Sequence, residues 1–91
     1  MAMDKQELHE KLERLHAELN RAESADSNQR EILQQVVTEI QKMLAPQGET
    51  TEHYLGLRER LKEAIAQLEA SHPEATLRMR QVIDQLAYMG I

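Results

Sequence analysis

Four stretches of this 91-residue sequence repeat one pattern, with apolar residues spaced alternately four and three apart. That spacing keeps a seam on one side of an α-helix. In the first stretch the seam is Leu8, Leu12, Leu15, Leu19 and Ala22. In the second it is Leu33, Val37, Ile40 and Leu44, widened by Ile32, Val36 and Met43. The third carries Tyr54, Leu57, Leu61, Ala64 with Ile65, and Leu68, and the fourth Ala75, Met79, Val82, Leu86 and Met89, broadened by Ile83. A helix striped on one side must bury that side against other helices. The spacing therefore predicts a single all-α domain over residues 1–91, an antiparallel bundle of four amphipathic helices near residues 4–23, 27–45, 50–70 and 73–89, with coiled-coil-like packing. The wide stripe of the second helix predicts a central place for it and an outer one for the first.

The breaks between stretches have local causes. Asp26 or Ser27 can accept a hydrogen bond from the first free amides of the second helix, and Thr50 or Thr51 can do the same for the third. Pro46 and Gly48 stop the second helix, because one cannot continue it and the other readily takes positive φ. At the third break, Ser71-His72-Pro73-Glu74 has the spacing of a capping box, with Ser71 as cap, Pro73 in the first turn and Glu74 reaching back. This junction permits either a tight reversal or a kink between collinear helices. Gly90 closes the last helix. On the outer faces, Glu7 with Lys11, Glu10 with Arg14, and Arg80 with Asp84 stand four apart, as paired charges do on a solvated helix.

Composition narrows the function classes. Sixteen acidic and eleven basic residues give a net charge of −5, with both signs interleaved along the chain. The chain has no basic footprint for nucleic acid and no one-sign surface that would mimic it. There is no cysteine, so thiolate metal sites, disulfides and cysteine nucleophiles are excluded. No run of apolar residues is long enough to span a membrane, and the first residues do not read as a secretion signal, which predicts a soluble, cytoplasmic protein. The core is thin: Leu, Ile and Val total 20, and Phe and Trp are absent. Self-association or docking on a partner is then the simplest source of further burial.

Three features give the chain a resemblance. These are the run from Leu8-His9 to Leu19, the junction Leu68-Glu69-Ala70-Ser71-His72-Pro73, and the ending Met89-Gly90-Ile91. With them the chain resembles a family of short bacterial proteins catalogued as domain of unknown function 4404. The resemblance implies an all-helical fold and a bacterial source. The family has no assigned activity, so no catalytic residues carry over.

Few groupings could carry chemistry. Glu13-Arg14-Leu15-His16 and Glu69-Ala70-Ser71-His72 share the Glu-x-x-His spacing of di-metal bundles. In the frame of Leu12, Leu15 and Leu19, however, Glu13 points outward and His16 lies on the flank, while His72 sits at a proline break. His9 and His16 share a flank but stand two turns apart, about 10 Å along the axis, too far to hold one ion unaided. A helix-turn-helix would use Arg78 and Arg80 as readers, which are few in an acidic chain. No serine, histidine and acid are arranged as nucleophile, base and orienter, so no enzyme is predicted and no cofactor is called for. Leu55 and Leu77 fall off the stripes. Together with Met79 and Met89 they form the candidate interaction surface, and the expected function is a non-catalytic protein–protein interaction or self-association module. The alternatives from other classes are a carrier of a small ligand or metal between the helices, with the histidines as donors, and a helix-turn-helix regulator.

Overall fold

The computed structural model describes residues 2–22, 26–45 and 50–91, which form four helices: α1 (Ala2–Arg21), α2 (Ser27–Leu44), α3 (Thr51–Leu68) and α4 (Pro73–Tyr88). Two of the starts are capped as the sequence predicts. The Asp26 carboxylate accepts from the Gln29 backbone N–H at 3.1 Å, and the Thr50 hydroxyl accepts from that of His53 at 3.2 Å. Both caps have extended backbones and so present their oxygens to amides that have no partner within the helix. Pro46 and Gly48 lie outside the described residues.

The third junction is a reversal, since α3 and α4 pack side by side. Helical bonding runs on past Leu68, with Glu69 in the α conformation and the His72 N–H donating to the Leu68 carbonyl at 2.7 Å. His72 then breaks the helix at φ −135° and ψ 66°. The cause is Pro73, whose ring excludes the α conformation from the residue before it. This places Pro73 at the first helical position and makes His72, not Ser71, the N-cap of α4. The expected capping box is therefore not formed. The Ser71 hydroxyl lies 2.9 Å from Nδ1 of His72, and Glu74 sits in the first turn without a bond to Ser71.

At the other end of α4, Gly90 takes φ +87°, a conformation that costs glycine nothing. Its N–H donates to the Ala87 carbonyl and that of Ile91 to the Leu86 carbonyl, the paired bonds of a Schellman ending. The turn folds Ile91 back against the core.

The helices stand in a ring, α1 beside α2, α2 beside α3, α3 beside α4 and α4 beside α1, with no close backbone approach across either diagonal among the described residues. Short connections make neighbours antiparallel. The bundle measures 40 × 21 × 20 Å. Its closest pairs are α2 with α3 and α1 with α4, and its loosest is α1 with α2. The predicted central place for α2 is thus corrected. Each helix occupies a corner and has two neighbours, and the narrow stripe of α1 is as buried as any other.

Each corner contributes one row to the core: Leu8, Leu12, Leu15 and Leu19; Leu33, Val36, Ile40 and Met43; Tyr54, Leu57, Leu61, Ala64 and Leu68; Ala75, Met79, Val82 and Leu86. In α2 the buried row runs through Val36 and Met43, while Val37 and Leu44 lie at the edge. The predicted seam was therefore off-centre, because the row from Leu33 steps three and then four. The expected surface pairs do not form either. Lys11 reaches Gln85, Arg80 pairs with Glu69, and no ion pair joins Glu10 to Arg14.

Candidate interaction surface

With Ala75, Met79, Val82 and Leu86 facing inward, the residues half a turn away fall on the outside of α4. Four of them, Leu77, Gln81, Asp84 and Tyr88, lie within about 60° of one another around the axis, a single outer stripe. Leu77 is 53% exposed and Tyr88 75%. Gln81 is half-buried, with its carbonyl oxygen accepting from Nη1 of Arg78 at 3.4 Å. Asp84 is exposed and takes part in no hydrogen bond or ion pair among the described residues.

The stripe is bordered on both sides. Toward α3, Arg80 and Glu69 form an ion pair of 3.2 Å, both largely exposed. Toward α1, Nζ of Lys11 donates to Oε1 of Gln85 at 2.8 Å. Gln85 is only 4% exposed, and its Nε2 has no hydrogen-bond partner among the described residues. Glu7, Lys11, Asp84, Gln85 and Tyr88 surround an open recess of about 250 Å³ beside the stripe.

The four residues expected at the surface separate. Leu55 is 40% exposed near the start of α3, at the same end of the bundle as Tyr88, and Leu77 is exposed on α4. Met79 is fully buried, which corrects its place in the candidate surface, because it stands in register with Ala75, Val82 and Leu86 on the inward row. Met89 is half-buried against the core. Tyr88 is the surface residue the stripes left unmarked. Its position eleven residues, three helical turns, beyond Leu77 was the available signal.

Other groupings stay apart. His9 and His16 are both half-buried on α1, His53 lies in the first turn of α3, and His72 stands at the N-cap position of α4 without a capping bond from its side chain. Glu13 and Glu69 are exposed, so neither Glu-x-x-His sequence faces the interior. No group of three or more potential metal ligands occurs among the described residues. Arg78 and Arg80 are engaged with Gln81 and Glu69. Between α2 and α3, Glu31, Gln34, Gln35, Thr38, Glu39 and Arg60 line a polar groove of about 370 Å³, crossed by the bond from Arg60 to Gln35 at 3.0 Å. No helix among the described residues is long and apolar enough to cross a membrane.

Neither the curated proteins nor the solved structures yield a match to this chain. A family model does match it, over residues 8–91, and its description is a domain of unknown function. That match takes in α1 from Leu8 onward and all of α2, α3 and α4, including the His72-Pro73 reversal and the Gly90 ending, and the chain therefore belongs to the DUF4404 family.

Proposed function

We propose that this chain is a non-catalytic interaction module of the cytoplasm, joining copies of itself or docking on another protein. The observation that carries the proposal is the outer stripe of α4, where Leu77 and Tyr88 stay exposed although the core is complete without them. A large side chain on the outside of a helix adds nothing to the bundle it belongs to, whereas at an interface it supplies the apolar contact that holds a partner. Two such residues on one face form a surface rather than isolated exposures.

The test combines two measurements on the full chain. Light scattering over about a hundredfold dilution reads self-association. Affinity capture from the native host compares the wild type with the variant Leu77→Ser/Tyr88→Ser. A mass that falls on dilution, or a captured protein lost in the variant, supports the proposal. A monomer at every concentration, with identical capture by both forms, contradicts it. Fractionation of host cells checks the cytoplasmic placement.

A further inference from the structure

The outer stripe of α4 has a symmetry that selects an occupant. Leu77, Gln81, Asp84 and Tyr88 are spaced four, three and four. That order reads the same from either end, so a second α4 laid antiparallel on the first meets it in register. We infer that the stripe binds the same stripe of a second copy of this chain, antiparallel and about a twofold axis level with residues 82 and 83. The inference deepens the proposed function and rests on its self-association branch.

In this arrangement Leu77 lies level with Tyr88 of the second copy, and Gln81 with its Asp84. The aliphatic side chain packs on the aromatic ring at both ends, and polar groups meet at the centre. Those groups suit one another. The Asp84 carboxylate has no partner among the described residues of its own chain. Gln81 already uses its carbonyl oxygen to accept from Arg78, which leaves its amide N–H groups to donate. Arg80 stands on the same side of the stripe as Asp84 and comes within one residue of its level across the axis, about 1.5 Å. Its guanidinium keeps donors beyond the one directed at Glu69. The Asp84 acceptor of each copy thus meets the spare donors of the other.

Net charge also favours this face. The chain carries −5, which makes two copies repel at long range. Within α4, Glu74 and Asp84 balance Arg78 and Arg80, so the contact itself is neutral. A symmetric contact of this kind closes at two subunits, because the same patch is used on both.

Cysteine substitution reads the geometry without interference, since the chain has no cysteine of its own. Leu77→Cys and Tyr88→Cys are both exposed positions, and circular dichroism verifies that each variant keeps its helix content. Under mild oxidation an equimolar mixture of the two forms a disulfide-linked heterodimer. Either variant alone cross-links far less, because its own cysteines are offset by about 16 Å along the axis. Alongside this, Leu77→Ser/Tyr88→Ser weakens dimerisation by about tenfold or more, while Leu55→Ser does not.

Efficient cross-linking of each variant with itself, or a dimer unchanged by the double serine substitution, overturns the inference while self-association stands. A wild type that remains monomeric at high concentration also overturns it. The broader interaction function then survives only if the double variant loses a captured protein of different sequence.

Discussion

Lys11 and Gln85 are joined across 74 residues of chain by a hydrogen bond of 2.8 Å that ties the first helix to the last. The lysine ammonium is a charged donor, the stronger kind, and it meets an acceptor on a nearly buried side chain. The same glutamine holds an amide nitrogen with no hydrogen-bond partner among the described residues. Removing the lysine therefore orphans a second buried atom, whereas replacing the glutamine with leucine removes both. We expect Lys11→Met to cost about 1–2 kcal/mol, and Gln85→Leu to change stability by less than about 1 kcal/mol. The double variant should recover much of the loss. Urea unfolding of all four forms measures the cycle, and additive effects would show that the bond contributes nothing.

Met79 and Leu77 are two positions apart and should behave as opposites. Met79→Ala opens a cavity in a fully buried row and should cost about 2–5 kcal/mol. Leu77→Ala leaves the outer face and should stay within about 0.5 kcal/mol when the protein is dilute. Thermal unfolding at low concentration distinguishes them. Similar losses at both positions would contradict the inward register of α4.

The caps give a second contrast. Asp26→Ala and Thr50→Ala should each cost about 0.5–2 kcal/mol, because each removes an acceptor from a helix amide. Ser71→Ala should cost less than about 0.5 kcal/mol, since its hydroxyl meets the His72 ring and not a helix amide. A large loss at Ser71 would restore it as the cap.

Gly90→Ala places a Cβ at φ +87°, where the surrounding space is open and only the backbone conformation is strained. A cost of about 1–2 kcal/mol is expected. Faster amide exchange at Ile91 would accompany it, because the bond to the Leu86 carbonyl depends on this turn.

Most of the fold was legible because the 4-3 spacing is a direct consequence of burying one side of a helix. Leu8, Leu12, Leu15 and Leu19 are placed by it without ambiguity. Spacing says less where apolar residues are adjacent. In α2, Val36 and Val37 both fit a stripe, and only packing against two neighbours makes Val36 the buried one. Stripe width likewise misjudged the place of α2, because a wide stripe shows how much surface a helix buries but not which helices cover it. At the junction, Ser71 and Glu74 have the letters of a capping box, yet the restriction Pro73 places on His72 moves the start by one residue. The outer stripe was half visible. Leu77 broke the pattern, but Met79 and Met89 drew attention as methionines although their register turns them toward the core.

Dilution of isotope-labelled full-length protein, followed by nuclear magnetic resonance of every backbone amide, tests the central claim most directly. The account predicts shifts that change with concentration along the outer face of α4, at Leu77, Gln81, Asp84 and Tyr88, and that leave the groove between α2 and α3 unmoved. Shifts that are independent of concentration, or that gather around Gln35 and Arg60 instead, would contradict it.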